Sequence, residues 1–399
     1  MVNPESISQG GRGSISFLTA LSADEILYSG FLNADNINEY SFNEILPENS
    51  LDLVIWSELY QYIYKANAIL EGLQSSEGIS DGMKSQLEGE AKFLRAFSFF
   101  YLFNLYGDIP LTITTDYEIN TSLERSTKPD VYSQIISDLT DAKNLLPEDY
   151  DFSNNERVRA NKFVASALLA RVYLYNENWQ EAETNASLVL NSSLYELTQL
   201  DQVFLTNSNE VIFQLGNPND IAADGITFNY NYTGAYFSNA LSQAFEDGDV
   251  RKEVWVDSAD LDGTIYYWAK KYTGLDLPPV EYTTVLRLAE QYLIRAEARA
   301  HQNDLGNAIA DLNTIRNRAG LPNLSNSLNQ VQVLLAIEQE RRVELFTEWG
   351  HRWLDIKRTN RADVVLSPLK GDTWQSTDVL YPIPQYQIQN SNLEQNPGY

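Results

Sequence analysis

Apolar residues recur with helical period over much of the chain. From Val164 they fall at Val164, Leu168, Val172 and Tyr175, the one-face spacing of an amphipathic helix. After the polar break Asn176-Glu177-Asn178 a second stripe runs through Trp179, Ala182, Ala186 and Val189. The same figure returns downstream as Leu286, Ala289, Leu293, Ala296 and Ala300, breaks at Gln302-Asn303-Asp304, and resumes at Leu305, Ala308, Leu312, Ile315 and Ala319. A shift of 126 residues lays Ala170 on Ala296, Trp179 on Leu305, Ala182 on Ala308 and Val189 on Ile315. Alanines at fixed positions let two antiparallel helices approach closely, and the apolar residue opening the second helix plugs the gap. That is the logic of a tetratricopeptide helix pair.

Two weaker pairs flank these. Leu59, Ile63, Ala66 and Leu70 form one stripe, and Leu87, Ala91, Leu94, Tyr101 and Leu105 lie on a long helix ended by Gly107 and Pro110. Val131, Ile135, Leu139, Ala142 and Leu146 form another, stopped by Pro147, and a last helix is predicted from about Val331 to Glu348. The helical scaffold therefore covers about 51–200 and 285–360. Residues 201–284 differ: they are rich in Asn, Asp, Gly, Tyr and Thr, with β-like runs such as Glu210-Val211-Ile212-Phe213 and Ile265-Tyr266-Tyr267-Trp268. Residues 28–50 and 361–399 read as similarly loop-rich. The expected fold is mainly α, one domain over 1–399: a superhelical scaffold of tetratricopeptide-like pairs with a loop-rich variable region holding a few short strands. Long irregular segments are uncommon unless they serve a function, so the loops are where function is expected.

Composition narrows the chemistry. Of 399 residues, 43% are hydrophobic and 21% charged, and the net charge is −27. The chain is globular, and it repels phosphate backbones and anionic lipids, so no nucleic-acid partner is expected. Cysteine is absent and only His301 and His351 supply imidazoles, which excludes disulfides, thiolate nucleophiles, cysteine-rich zinc sites and multi-histidine metal cages. The most apolar stretch, Phe93 to Tyr106, carries Arg95 and Asn104 and is too short to span a bilayer. Met1-Val2-Asn3-Pro4 opens without a signal peptide, so the expectation is either a cytosolic protein or one trimmed of its export signal.

Catalytic motifs find ordinary explanations. Gly78-Ile79-Ser80-Asp81-Gly82 matches a nucleophile elbow on paper, but that elbow needs a strand before it. Here a helix ends near Leu73, so Ser80 or Asp81 is read as a helix cap. With 55 acidic residues, some carboxylate pair always lies at a glycosidase-like distance, so such a pair carries no specific signal. Asp260-Leu261-Asp262-Gly263 is a fragment of a calcium loop, but Ala269 stands where the bidentate Glu belongs; a β-turn is the reading, and no cofactor is expected. Glu348 with Arg352, and Asp355 with Arg358, are spaced to pair if the last helix continues past Gly350. A structural ion-pair network is favoured there over acid–base work by His351. His301 is read as a surface or capping residue.

Aromatic usage stands out: 24 Tyr, 16 Phe and 7 Trp. Phe97, Phe99, Phe100 and Tyr101 belong to helix stripes and are core. Others sit in polar loops. Phe228-Asn229-Tyr230-Asn231-Tyr232-Thr233-Gly234-Ala235-Tyr236-Phe237 alternates rings with amides; Asp35, Asn36, Asn38, Glu39, Tyr40, Phe42 and Asn43 make a similar cluster; and Trp374 stands beside Asp372, Thr373 and Gln375. Flat apolar rings beside directed hydrogen-bonding groups suit a sugar, with its C–H patches and hydroxyl rim, and would also suit a peptide.

Several segments in order resemble the SusD/RagB family. They are Glu90-Ala91-Lys92-Phe93-Leu94-Arg95-Ala96-Phe97 with its continuation to Tyr106-Gly107-Asp108-Ile109-Pro110-Leu111; Ala66-Asn67-Ala68-Ile69-Leu70; Arg287 to Ala298; Glu340-Arg341-Arg342-Val343-Glu344-Leu345; Arg352-Trp353-Leu354-Asp355-Ile356-Lys357-Arg358; Tyr381-Pro382-Ile383-Pro384; and Gln395-Asn396-Pro397-Gly398-Tyr399. The resemblance implies a non-catalytic, outward-facing outer-membrane lipoprotein that captures oligosaccharides or polysaccharide and delivers them to a SusC-like TonB-dependent transporter. A peptide-binding member of the family, or a tetratricopeptide scaffold for protein partners, is the alternative. It also implies an N-terminal lipid anchor on a cysteine that this sequence lacks, so Met1 is read as starting just after the anchor. The family's signatures are scaffold residues; its ligand contacts come from loops that shift between members. The expected ligand residues are Asp35, Asn38, Tyr40, Tyr230, Tyr232, Tyr236, Phe237 and Trp374, the rings to stack and Asp35 and Asn38 to bond hydroxyls. Trp255 and Trp268 are expected to pack against helices.

Overall fold

The structure is a computed structural model that describes residues 11–29, 35–216, 222, 224–274 and 280–399. Its frame is a sequential stack of helices, each formed where the apolar period and a capping residue agree. Helix α1 (Ser50–Ser75) opens on Asn49, whose side chain accepts from the amides of Leu51 and Asp52. Helix α2 (Asp81–Tyr106) opens on Ser80, whose hydroxyl accepts from Met83 N at 3.4 Å, and ends at Gly107 with φ 74°. The G-x-S-x-G stretch is thus an interhelical turn with a cap. Helix α3 (Lys128–Leu145), α4 (Lys162–Tyr175) and α5 (Trp179–Leu190) follow, then α6 (Leu288–His301) and α7 (Leu305–Arg318). The starts of α4 and α6, and of α5 and α7, differ by the 126 residues that the repeat predicted.

Each helix from α1 to α7 packs on the next, so α5 meets α6 across the long intervening segment. The alanines do what close approach requires: Ala170, Ala182, Ala186, Ala296, Ala300 and Ala308 are wholly buried. Buried ion pairs fix the stack's register. Arg95 grips Asp138 through two bonds of 2.8 and 2.7 Å, joining α2 to α3. Arg171 grips Glu290 through two bonds of 2.7 Å, joining α4 to α6, and donates to the Tyr101 hydroxyl at 3.1 Å.

The last scaffold helix is shorter than its sequence implied. Helix α8 spans Gln330–Glu344, and α9 spans His351–Arg358. Between them Thr347, Trp349 and Gly350 hold positive φ (57°, 44° and 73°). A Cβ on Gly350 would stand 2.8 Å from Thr19 Oγ1, so glycine is required twice over. What stops α8 is a lysine: Lys271 Nζ donates to the carbonyls of Glu344 and Phe346, both at 2.9 Å, capping the helix end with a cation. The expected Glu348–Arg352 pair is therefore absent: Glu348 turns to Arg287 and Lys271, and Arg352 to Asp24. Asp355 and Arg358 do pair, at 2.8 Å. His301 is the last residue of α6 and half-buried, and it stacks on Trp179 with centroids 3.8 Å apart.

The loop-rich flanks hold more structure than expected. Ile15–Ser22 is a fully buried helix, and Asp35–Phe42 is a polar helix that anchors itself through Ile37 and Tyr40, one turn apart. Ala362–Lys370 and Gln385–Asn390 are helical. Among the described residues six short strands make three two-stranded antiparallel sheets: β1 (Ile26–Tyr28) with β3 (Ala235–Phe237), β2 (Val211–Leu215) with β6 (Thr283–Arg287), and β4 (Val256–Leu261) with β5 (Thr264–Ala269).

Candidate functional site

The β4–β5 hairpin turns at Asp262-Gly263, both with positive φ (53° and 84°), the two-residue turn whose twist matches the strands. Gly263 N donates to Asp260 Oδ1 at 2.8 Å, so the calcium-like fragment is spent on its own turn. Among the described residues no group of three or more His, Asp or Glu side chains could hold a metal ion. Strand alternation then puts Tyr266 and Trp268 on one face of β5, and Ile265 and Tyr267 on the other.

Against the first face stands Tyr230. It opens a single helical turn, Tyr230–Thr233, capped by Asn229 and closed at Gly234, whose φ is 79°. The reversal delivers the chain into β3, where Tyr236 points outward and its neighbours Ala235 and Phe237 point into the core. Four rings meet as a wall. Tyr230 stacks on Tyr266 at 5.0 Å and on Trp268 at 6.0 Å; Tyr236 meets Tyr266 edge-on at 5.0 Å and Tyr230 at 6.0 Å. Tyr230 and Trp268 are buried backing, while Tyr236 and Tyr266 are half-buried and keep open ring surface. Burial holds the Tyr236 phenol above its ordinary range, so it stays a neutral donor. Tyr232 (55% exposed) and Asn231 stand free of the wall beside it.

The wall is held by a seam of buried charge behind it. Lys270 N bonds Trp255 O at 2.8 Å at the hairpin's base, and Trp255 donates Nε1 to Leu200 O at 2.8 Å. The next residue, Lys271, enters the seam and bonds Glu348 at 2.5 Å. There Arg287 meets Glu344 and Glu348, each at 2.7 Å. Arg251 takes Asp249 at 2.8 Å, Glu340 at 2.6 Å and Glu344 at 2.9 Å, while Arg318 joins Glu210 and Glu344. Burial alone would raise Glu344; the guanidiniums of Arg318, Arg287 and Arg251 outweigh it and hold the carboxyl well below its usual range.

Of the residues expected to touch ligand, the structure brings Tyr230 and Tyr236 together and leaves Tyr232 exposed beside them. Phe237, one residue on from Tyr236, faces inward and packs edge-on against Phe346 at 5.5 Å. Tyr40 and Trp374 converge on a different place, the core around Tyr381: Tyr40 lies 5.3 Å from Tyr381, and Trp374 reaches it through Trp353. Trp374 also donates Nε1 to Asp363 at 2.9 Å. Tyr40, Phe237 and Trp374 thus present no open ring face. Asn38 is half-buried on the Asp35–Phe42 helix, which packs on β1, the partner of β3; the Asp35 side chain lies outside the described residues. Trp255 packs on Phe204 and Phe346, while Trp268 packs on Tyr230 instead of a scaffold helix. Tyr266 was missed, although Ile265-Tyr266-Tyr267-Trp268 carried the signal: two rings two residues apart share a face.

Two family models match the chain. The one described as "Starch-binding associating with outer membrane" covers residues 19–174, and the SusD family model covers 279–399. A SusD-like protein of Formosa agariphila is 27% identical, over 88% of this chain and 80% of its own length. The starch-binding protein SusD of Bacteroides thetaiotaomicron is 24% identical, over 82% of this chain and 75% of its own. Among solved structures, a laminarin-binding SusD-like protein superposes with TM-score 0.84 and 26% identity, covering 98% of this chain and 96% of that one. A SusD superfamily protein from Bacteroides vulgatus gives TM-score 0.83 at 23% identity, over 99% and 96%. The matched segments flank the wall on both sides, and the helical frame is shared from end to end: the chain belongs to the SusD/RagB family.

Proposed function

We propose that this chain is a non-catalytic carbohydrate receptor of the outer membrane, and that the wall of Tyr236 and Tyr266, with Tyr232 beside it, is where the glycan lies. The observation that carries the reading is two half-open rings braced from behind by Tyr230 and Trp268. A braced ring loses little freedom on meeting a sugar face, so its apolar surface converts efficiently into affinity. Relatives named for starch and laminarin binding support the ligand class. Asn38, with Asp35, remains the proposed source of hydroxyl contacts. In this reading the cargo is held without cofactor or bond chemistry and passed to a SusC-like TonB-dependent transporter, the receptor being tethered outside the cell by an N-terminal lipid. Among the described residues no helix is long and apolar enough to cross a membrane. An open wall with few buried polar contacts should bind on the order of micromolar to millimolar, which lets cargo leave.

The test is affinity gel electrophoresis through laminarin, starch and other soluble polysaccharides, beside a non-binding control protein. The parent should be retarded by one glycan class, and the Tyr236→Ala, Tyr266→Ala double variant should not. Equal retardation of both would place the ligand elsewhere. New reducing ends on incubation with the retarding glycan would overturn the non-catalytic reading.

A further inference from the structure

The helical stack holds a cavity of about 530 Å³ between α4, α5, α6, α8 and α9, sharing no residue with the aromatic wall. That is the size range of a small-molecule site. Trp179 and His301, stacked at 3.8 Å, line one side. The rim is apolar and open: Val331 is 66% exposed and Leu335 49%. Two of the lining residues carry donors without acceptors. Arg341, only 2% exposed, spends Nε on Asp355 at 2.6 Å, but neither Nη1 nor Nη2 has a partner. The Tyr175 hydroxyl is likewise buried and unpartnered. Nearby acceptors are taken, for Arg358 binds Glu297 at 2.6 and 2.8 Å and the second oxygen of Asp355 at 2.8 Å. A buried guanidinium edge with no acceptor is costly, and a ligand that supplies one recovers that cost.

Charge then selects the ligand. Glu177, Glu297, Glu338 and Asp355 line the cavity against Arg341, Arg358 and Arg361, so a further anion meets repulsion. A cation would leave the Arg341 edge unsatisfied. We infer that this cavity is a second ligand site, selective for a neutral molecule that offers a carbonyl acceptor to Arg341 and Tyr175 and lays an aromatic or aliphatic body against the Trp179 side and the Val331–Leu335 rim. An amide-capped aromatic residue has that chemistry.

Calorimetric titration with N-acetyl-L-phenylalaninamide, and with the acid N-acetyl-L-phenylalanine, tests it on the full chain. The amide should bind saturably, one per chain, and the acid about tenfold more weakly, since its charge meets the lining carboxylates. Arg341→Met should weaken the amide by about tenfold, the loss of a charge-assisted hydrogen bond. Because Arg341 is buried and that variant can misfold, Leu335→Trp is the second: it fills the mouth from an exposed position, and should abolish amide binding while leaving the melting temperature and polysaccharide retardation unchanged. No saturable amide binding, tighter binding of the acid, or full binding by Leu335→Trp would each overturn the site.

Discussion

The seam and the wall are neighbours joined by consecutive residues, yet they are built on opposite terms. In the seam, Arg251, Lys271 and Arg287 are buried with their carboxylates and Arg318 is nearly so, and each charge is committed to partners within the chain. In the wall, Tyr236 and Tyr266 keep ring surface that nothing in the described chain covers fully. Charge buried so completely carries a desolvation penalty that only complete pairing offsets, so the seam tolerates no loss of a member. Rings half-open to water carry little such penalty and can be exchanged. Rigidity is thus placed behind the site, and freedom to vary in front of it.

The largest effect that would break this contrast is Arg287→Ala. It leaves Glu344 and Glu348 facing one another with fewer cations, and should cost about 3–5 kcal/mol in chemical denaturation; a stability near that of the parent would show the seam to be ornamental. Acid should attack the same place. Burial would raise Glu348, but Arg287 and Lys271 hold it below its ordinary value, as Arg318, Arg287 and Arg251 do for Glu344. Carboxyls depressed in the fold contribute stability in full above their unfolded value of 4.5 and lose it as pH falls below that. Unfolding free energy should therefore drop steeply below pH 4.5, and flat stability down to pH 3 would contradict the pairing.

Trp374→Ala sharpens the line between core ring and binding ring. It should cost about 3 kcal/mol of stability while the folded fraction binds glycan as before. Tyr266→Ala should do the reverse, weakening glycan binding by about 5- to 30-fold, 1–2 kcal/mol, with the melting temperature within about 2 °C of the parent. If both variants lose only stability, the wall is core. The opposite pH dependence belongs to Glu25, which burial and the neighbouring Asp24 push up to about 8, with the Thr347 amide donating in partial relief. A raised carboxyl destabilises increasingly as pH climbs from its unfolded value of 4.5 to about 8. Glu25→Gln should therefore be neutral at pH 4.5 and stabilising at pH 8, checked by denaturation at the two pH values.

The helical frame was legible because its signals are local. A period of 3.6, alanines at matching positions and caps such as Ser80 and Asn161 lie within a few residues of the helices they define. The end of α8 was not, since the lysine that stops it stands more than seventy positions away in sequence. The rings divide in the same way. Alternation within β3 separates Tyr236 from Phe237, and alternation within β5 pairs Tyr266 with Trp268, once those runs are known to be strands. Nothing near Tyr40 or Trp374 in sequence says that Tyr381 and Trp353 await them; composition marks a ring in a polar loop but not the direction it faces.

The hairpin bearing half of the wall is one contiguous stretch, Val256 to Ala269, reversed by two residues with no other task. Its alternation makes it a digital element. Inserting a single residue ahead of Ile265 would replace the wall-facing pair, half-open Tyr266 and its backing Trp268, by Ile265 and Tyr267, changing the whole face at once. A lineage can therefore recast what this receptor recognises by one short insertion or by transplanting one ribbon, while the stacked repeats that must be inherited intact are left untouched.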